Sequence, residues 1–382
     1  MKIGIDARLY GTEHTGLGRY ITKLVDNLLR FDKKSHYVLF IHPRHLFDIP
    51  LKPGKHLKLV PTEIPIYSLE EQLFLPVLFY REKLDLLHVP HFNAPIFYLK
   101  KKILTIHDLI KHDSVGMETT TKNKWVYWLK RLGYLFLIKI VSHQARSIIV
   151  PTNYVKKEII KKLKVGSDKV FVTYEAASGS IKEMILNKHQ SQKVLNKYGL
   201  SQPFVVYTGN VYPHKNIDIL IDAIATHNQN KEVDLQLAII CARSIFYDRL
   251  QNKINQKNLQ HTIKLLGYLD DNEISKLYSL ALTLVHPSKM EGFGLTGIEA
   301  MGVGLPVISS SASCLPEIYG EAALFFNPDS LDDLVSKIEM IISDATLREQ
   351  LSIQGYLQVR KYSWDKMVKE TIKIYENCLS LR

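Results

Sequence analysis

Hydrophobic positions along the chain alternate between short β-branched runs and longer stretches with the spacing of one helical face. The strand candidates of the first half are Lys2–Asp6, Tyr37–His42, Leu57–Pro61, Leu84–Val89, Lys102–His107, Ser147–Val150 and Lys169–Tyr174. Those of the second half are Phe204–Thr208, Leu235–Ile240, Thr262–Leu266, Ala281–His286, Leu305–Ser309 and Ala322–Phe326. Strands separated by helices of about 10–15 residues form parallel sheets covered on both faces. The pattern therefore predicts an α/β chain with two doubly wound, parallel-sheet domains.

Three of the intervening helices have distinctive sequences. Gly18–Arg30 places its apolar residues on one face. Ser68-Leu69-Glu70-Glu71 has the pattern of a capping box, in which the Ser and Glu side chains each bond a backbone N–H of the other residue. Lys122–Arg146 is apolar on most sides, and we expect most of it to be core.

The domain boundary is predicted within Glu175–Ser201, where small, polar and Gln/Lys-rich residues interrupt the alternation. We therefore expect residues 1–178 to form the first domain and residues 179–363 the second. A last helix at about 364–382 is expected to pack back on the first domain.

Composition and charge narrow the classes of protein. With 382 residues, 46% of them hydrophobic and 23% charged, the chain has the profile of a folded globular protein. Three widely spaced cysteines exclude a disulfide framework, and the N-terminus lacks the apolar stretch of a signal peptide, so we expect a cytoplasmic protein. Residues 1–178 hold 29 basic and 16 acidic residues, which accounts for the whole net charge of +12. This excess favours an anionic partner, although a well-solvated lysine-rich surface explains it equally well.

A glycine-rich segment at residues 285–302 follows a predicted strand and opens a predicted helix. Gly292 and Gly294 lack Cβ atoms, so a phosphate can approach the backbone there, and the free N–H groups of Leu295 and Thr296 can receive it. The alternative is an ordinary Gly-rich turn before a helix.

Two carboxylates, Glu291 and Glu299, flank this phosphate site. Carboxylates repel a phosphate but accept hydrogen bonds from sugar hydroxyls, so the whole segment predicts a sugar-nucleotide site. In the alternative interpretation, Glu299 is a surface residue of the helix.

The segment Thr208–Asn216 follows the first strand of the second half. A lysine there, Lys215, can neutralise a departing diphosphate. The alternative is that Pro213 forms a turn, Asn216 caps the next helix and Lys215 is a surface charge.

Three weaker patterns lie in the first half. His107-Asp108 ends a strand, and on its own it is interpreted as a core imidazole followed by a helix cap. Gly16-Leu17-Gly18 follows the first strand and is either a loop or a simple helix start. His88 and His91 have ligand-like spacing, but Pro90 breaks any helix and no third ligand lies nearby, so we expect an acceptor-site loop rather than a metal site.

Glu291 to Glu299 resembles the Glu-x7-Glu signature of the retaining glycosyltransferases of family 4, which have the two-domain GT-B fold. Residues 300–308 and 315–317 are also similar to that family, and the resemblance covers nearly the whole chain. Residues 16–20, 107–108 and 213–216 are most similar to the bacterial mannosyltransferase B-like polysaccharide branch. The resemblance implies two Rossmann-like domains that face a central cleft.

The resemblance also implies a role for each matching residue. Glu299 would bind the ribose hydroxyls of the donor, Glu291 the hydroxyls of the transferred sugar, and His107 would approach that sugar. The predicted catalytic residues are Lys215, Glu291 and His107. The predicted donor-binding residues are Gly16, Gly18, Asn210, Gly292, Phe293, Gly294, Leu295, Thr296 and Glu299. Candidates for acceptor contact or support are Asp108, His214 and Arg19.

The chain departs from the family at Asn210, where many members have an arginine. Either His214, Arg8 or Arg19 supplies the missing charge, or Lys215 acts more nearly alone.

The function that the resemblance implies is retaining transfer of a hexose, with mannose as the first candidate, to a growing, lipid-linked cell-surface glycan. The donor would be GDP-mannose or a UDP-hexose, with no cofactor and no metal required. The alternatives are a sugar-nucleotide epimerase on the same fold, which needs no acceptor, and a non-catalytic basic membrane- or RNA-binding module. The basic first half and the aromatic, lysine-rich segment Lys122–Arg146 favour peripheral docking on the anionic inner face of the cell membrane. Nucleic acid is not expected as a partner, because no nucleic-acid motif accompanies the charge.

Overall fold

The computed structural model describes residues 1–11, 15–113, 124–229 and 234–380. Every strand that the sequence predicts is present among them, with ends that differ by three residues or fewer. The strands are β1 Lys2–Ala7, β2 His36–Ile41, β3 Leu57–Pro61, β4 Leu86–Val89, β5 Lys102–Thr105, β6 Ser147–Val150, β7 Val170–Val172, β8 Phe204–Thr208, β9 Gln236–Ile240, β10 Ile263–Gly267, β11 Leu284–His286, β12 Val307–Ser310 and β13 Ala323–Phe326.

The helices lie between the strands and after the last one. They are α1 Thr15–Phe31, α2 Leu69–Leu73, α3 Leu75–Arg81, α4 Ile110–Asp113, α5 Lys124–Gln144, α6 Asn153–Leu163, α7 Lys188–Tyr198, α8 Ile217–Gln229, α9 Ile245–Gln256, α10 Asp271–Leu280, α11 Leu295–Met301, α12 Leu315–Tyr319, α13 Leu331–Ser343, α14 Ala345–Val359 and α15 Trp364–Ser380. Within the described ranges, no helix has both the length and the apolar character needed to cross a membrane.

The first of two compact units comprises Met1–Glu175 and Ser363–Arg382. Its sheet has the strand order β3-β2-β1-β4-β5-β6-β7, and every paired strand is parallel. The direction of winding reverses between β1 and β4. In a doubly wound sheet, the carboxyl ends of the strands at this reversal form the crevice where ligands bind.

Helix α15 belongs to the first unit, although it follows the whole second unit in the sequence. Its buried residues recur every three or four positions and form one apolar face. On that face, the Tyr375 hydroxyl lies 2.6 Å from Nδ1 of His88, a fully buried residue of β4. Burial lowers the pKa of His88 to about 3, so its imidazole is neutral and serves the packing of α15.

The second unit comprises Ala176–Tyr362. Its sheet has the strand order β10-β9-β8-β11-β12-β13, also parallel throughout, and its winding reverses between β8 and β11. The stretch predicted to contain the boundary includes the helix α7, which is part of this unit. The prediction of two doubly wound α/β domains with parallel sheets is confirmed.

Two local predictions require correction, and the structure decides between the two alternatives given for Gly16-Leu17-Gly18. Ser68 Oγ does accept a hydrogen bond from the Glu71 N–H at 3.0 Å, but the Glu71 carboxylate bonds elsewhere, so the capping box is incomplete. Gly16-Leu17-Gly18 lies in the first turn of α1 rather than in a loop. Helix α5 is not mostly core, because its N-terminal half carries the strongly exposed side chains Trp125, Leu129 and Leu132. Lys122, the first residue of that predicted helix, lies outside the described residues.

Candidate active site

Two loops meet where the second sheet reverses. One follows β8 and leads through the 3-10 turn Pro213–Lys215 into α8. The other follows β11 and leads through residues 287–294 into α11. Because β8 and β11 are neighbouring parallel strands, both loops leave the same edge of the sheet.

Lys215 and Glu291 pair across these loops. Lys215 Nζ lies 2.6 Å from Glu291 Oε1, and the same oxygen lies 2.8 Å from His286 Nε2. Burial alone would raise the pKa of Glu291, but the Lys215 ammonium and the His286 hydrogen bond hold it well below its usual range. Glu291 is therefore a carboxylate at physiological pH, and it accepts hydrogen bonds.

The backbone of Glu291 is fixed by the segment that precedes α12. Its N–H donates to Ser313 Oγ at 3.1 Å, and its carbonyl oxygen accepts from Cys314 Sγ at 3.3 Å. These contacts place the carboxylate independently of the Lys215 side chain.

Gly294 starts α11 with a φ of 91°, a conformation that favours glycine. A Cβ atom there would lie 2.6 Å from the Tyr319 hydroxyl oxygen and 2.7 Å from Leu315 Cδ2. The fold itself thus requires a glycine at this position, in addition to any need for phosphate to approach. The N–H groups of Leu295 and Thr296 follow in the first turn, where helix amides have no acceptor within the helix.

Glu299 lies on α11 and is 5% exposed, so it is not a surface residue. Phe293 is also buried, with its ring 5.5 Å from that of Tyr362. Gly292 lies between Phe293 and Glu291 in the same loop. All of these predicted donor-binding residues therefore lie on the β11–α11 connection or on α11 itself.

Asn210 lacks the positive charge of the arginine that many family members have there, and His214 does not supply it. Burial, with a further contribution from Lys215, lowers the pKa of His214 to about 4, so its imidazole is neutral at physiological pH. Asn210 itself contributes its carbonyl oxygen, which accepts from the Tyr207 hydroxyl at 2.5 Å. Asn216 has a φ of 56° and donates from Nδ2 to the Pro328 carbonyl, so it ends the 3-10 turn before α8.

Arg8 does not supply that charge either. In the first unit, its guanidinium bonds both oxygens of Asp6 at 2.7 and 2.8 Å and Glu71 Oε1 at 2.5 Å. A further bond joins it to the Ile64 carbonyl at 3.0 Å. Arg19 lies partly buried on α1. The surroundings of His214 and Arg8 therefore do not favour either residue as the substitute for the family arginine.

His107 lies in the first unit, two residues after β5. Its Nδ1 is 2.9 Å from Glu175 Oε1 and its Nε2 is 3.3 Å from the Pro90 carbonyl oxygen, while the ring of Tyr20 packs edge-on at 4.5 Å. Burial opposes the charged form, but the Glu175 carboxylate outweighs it and raises the pKa of His107. Asp108 Oδ1 accepts from the N–H of Ile110, the first residue of α4, at 2.9 Å.

Comparison with known proteins identifies the family. A family model described as "Glycosyltransferase Family 4" matches residues 14–176, and one described as "Glycosyl transferases group 1" matches residues 187–358. The chain is a glycosyltransferase, with one domain of each of these two descriptions. The "O-antigen chain mannosyltransferase B" of Escherichia coli is 27% identical over 376 residues, which cover 95% of this chain and 96% of that protein.

Solved glycosyltransferase structures share the fold. The sucrose-phosphate synthase of Thermosynechococcus elongatus superposes with a TM-score of 0.77 at 18% identity, over 100% of both chains. The Anabaena protein HepE, solved in complex with UDP-glucose, superposes with a TM-score of 0.73 at 16% identity, over 99% of this chain and 100% of HepE. The predicted GT-B fold and glycosyltransferase class are confirmed, whereas the roles assigned to single residues stay predictions.

Sequence reasoning missed two residues of the site, His286 and Tyr319. His286 lies at the end of β11, five residues before Glu291, and its position after a strand was the available signal. Tyr319 has no local signal, because only the fold brings α12 against α11. Within the part of the chain that the structure describes, no cluster of three or more His, Cys, Asp or Glu side chains could hold a metal ion.

Proposed function

We propose that this glycosyltransferase transfers a hexose, with mannose as the first candidate, from a nucleoside-diphosphate sugar to a lipid-linked cell-surface glycan, with retention of configuration. The observation that carries the proposal is the bond between Lys215 and Glu291 beside the N-terminus of α11. The E. coli relative, named as an O-antigen chain mannosyltransferase, supports the choice of mannose and of a glycan acceptor. HepE, which binds UDP-glucose, makes a UDP-hexose the second candidate donor.

Lys215 can serve the diphosphate while it stays paired with Glu291. An ammonium group has three N–H donors, so one can bond Glu291 and the others can bond phosphate oxygens as the leaving group gains charge. The amides of Gly294–Thr296 would bind the same diphosphate. Glu291 would accept from hydroxyls of the transferred sugar and Glu299 from those of the ribose.

Retention is what the family resemblance implies, and it agrees with the roles above, none of which is that of a base or a nucleophile. The acceptor hydroxyl would attack on the same face as the departing diphosphate, whose oxygen takes the acceptor proton. The protein then contributes orientation and charge stabilisation. The role of His107 at the donor sugar remains part of this proposal.

A donor panel tests the proposal directly. The purified protein is mixed with GDP-, UDP- and dTDP-sugars, with and without a lipid-linked glycan acceptor, and nucleotide release and saturation-transfer contacts are followed. We expect release of one nucleoside diphosphate only when acceptor is present. Conversion of the donor without acceptor would support an epimerase instead, and no consumption of any donor would support a binding module.

Glu299→Ala should weaken donor binding by about tenfold, because a buried acceptor of ribose hydroxyls is lost. Glu321→Ala, which removes an exposed carboxylate of the same unit, is the matched control and should bind donor normally. Normal donor affinity in Glu299→Ala would show that the site is assigned wrongly.

The same enzyme is proposed to dock on the anionic inner face of the cell membrane through α5. Trp125, Leu129, Leu132 and Phe136 are spaced four, three and four residues apart, so they form one stripe along the helix. Their exposed fractions are 83%, 73%, 62% and 65%. Lys130 and Lys139 are exposed on the same helix, which carries no acidic residue. An apolar stripe with basic neighbours matches an anionic lipid surface.

Cosedimentation with vesicles tests the docking. We expect binding to phosphatidylglycerol-containing vesicles that weakens with salt, and several-fold weaker binding for the double variant Leu132→Ser/Phe136→Ser. The double variant Ile353→Ser/Leu357→Ser removes two exposed apolar residues, also four apart, from α14 and should bind like the wild type. Binding that ignores anionic lipid, or equal losses in both variants, would refute docking through α5.

A further inference from the structure

The hydroxyl of Tyr319 connects two parts of the candidate donor site. Tyr319 is fully buried, and its oxygen lies 2.7 Å from His286 Nδ1 and 2.7 Å from the Gly294 carbonyl oxygen. His286 Nε2 in turn lies 2.8 Å from Glu291 Oε1. One hydroxyl thus joins the carboxylate proposed for the sugar to the loop proposed for the diphosphate.

These contacts form a series from Glu291 through His286 and Tyr319 to Gly294. Donors and acceptors can be assigned along it in one way that makes every contact a hydrogen bond. A carbonyl and a carboxylate only accept, so Tyr319 donates to Gly294 and His286 donates to Glu291. The single Tyr319 proton is then used, so its oxygen accepts from Nδ1–H of a His286 ring that carries a proton on both nitrogens, an imidazolium beside the Glu291 carboxylate. The imidazole is held at both nitrogens, which fixes its orientation toward Glu291.

The ring of Tyr319 is held just as closely. A Cβ atom at Gly297 would lie 2.3 Å from both Cζ and the hydroxyl oxygen of Tyr319, and one at Gly294 would lie 2.6 Å from that oxygen. The two glycines of the β11–α11 connection and α11 therefore leave just the space that the ring occupies. The hydroxyl cannot shift without moving α11 itself.

We propose that Tyr319 is a positioning residue, whose hydroxyl holds the Glu291 carboxylate, through His286, at a fixed distance from the Gly294 loop. The sugar and the diphosphate of one donor are then bound in matched positions, as the reaction geometry requires. This inference rests on the proposed donor site. Because Tyr319 is fully buried and its hydroxyl is used by His286 and Gly294, its loss should slow transfer more than it weakens nucleotide binding.

Tyr319→Phe in the full chain tests the proposal, because it keeps the ring and removes the hydroxyl. The matched control is Tyr375→Phe, which removes another buried Tyr–His bond, of 2.6 Å, from the first unit. We expect both variants to lose melting temperature, but only Tyr319→Phe to lose kcat, by about 10–100-fold. The affinity of Tyr319→Phe for the nucleoside diphosphate alone should stay within about threefold of the wild type.

A double variant separates positioning from general destabilisation. Tyr319→Phe and His286→Gln break the same series of hydrogen bonds. The loss of kcat in the double variant should therefore be no larger than that of the more affected single variant. An active wild type with normal kcat in Tyr319→Phe, or losses that multiply in the double variant, would overturn the inference alone. A wild type that transfers no sugar from any donor would overturn the proposed function and this inference with it.

Discussion

The reversal points of the two sheets have the same topology but opposite chemistry. In the first unit, the edge between β1 and β4 is closed by Arg8, whose guanidinium is shared by the carboxylates of Asp6 and Glu71. In the second unit, the edge between β8 and β11 carries Lys215, which one carboxylate, Glu291, binds at a single N–H. The cation of the first crevice is bound by two carboxylates of the same unit, whereas Lys215 in the second keeps N–H donors that we propose for the diphosphate.

The two ion pairs also differ in burial and in the pKa of their carboxylates. Glu71 is fully buried, and desolvation raises its pKa in spite of the Arg8 guanidinium, so its charge is costly to hold and depends on every partner. Lys215 is 18% exposed at its side chain, and the pKa of Glu291 is held low. The charged form of the pair in the second unit is therefore favoured, and the Lys215 side chain stays partly accessible.

The largest effect should come from Glu71→Ala, which leaves the buried Arg8 guanidinium with one carboxylate. Loss of one partner of a buried ion pair costs about 3–5 kcal/mol of folding free energy. Hydrogen exchange of the β1 amides reports the stability of the first unit. Glu70→Ala, an exposed neighbour on α2, is the control and should change that stability by less than about 0.5 kcal/mol. Equal exchange in both variants would contradict the closed network.

Lys215→Ala should have the opposite signature, a loss of activity with little loss of stability. Removing one group that stabilises charge in the transition state lowers kcat by about 10²–10³-fold. Steady-state transfer with the preferred donor measures the loss. Lys289→Ala is the control, because this nearby lysine bonds the exposed carboxylate of Asp329 at 2.5 Å instead. Normal turnover in Lys215→Ala would remove the lysine from the mechanism.

Gly297→Ala should destabilise the second unit by about 1–3 kcal/mol, because its Cβ atom would overlap the fixed ring of Tyr319. Gly133→Ala in α5 is a matched helical control, since no atom lies within 4 Å of a Cβ there. Alanine has the higher helix propensity, so this control should stabilise α5 by up to about 1 kcal/mol. Thermal unfolding that shifts in the same direction for both variants would argue against tight packing at α11.

Local sequence patterns predicted the features that depend on residues close together in the sequence. Strands β3, β6 and β8 have the ends that the sequence predicts, and the pattern around Glu291 placed it after a strand, where the structure has it. Glu71 was predicted as a capping residue because Ser68 is local, whereas the competing Arg8 lies 63 residues away.

The features that depend on packing between distant segments were not predicted. Tyr319 reaches the site only when α12 packs on α11, and no spacing within either segment indicates that contact. The helical pattern of α5 was correct, but periodicity does not tell which face a neighbouring element covers, so the exposure of its N-terminal half was missed.

The smallest effect concerns His107 in the first unit and depends on pH. Because the Glu175 carboxylate raises the pKa of the buried His107, the pair stabilises the fold fully below the unfolded pKa of about 6.5 and loses this contribution as the pH rises through the folded pKa. Each unit of pKa difference corresponds to about 1.4 kcal/mol. The stability of the wild type should therefore fall more between pH 6 and about pH 9 than that of His107→Gln or Glu175→Gln, as measured by denaturant unfolding at each pH. His91 and Asp108 also interact with His107, and both remain in the two variants. A pH dependence of stability that persists in both variants would therefore belong to those neighbours and not to the His107–Glu175 pair.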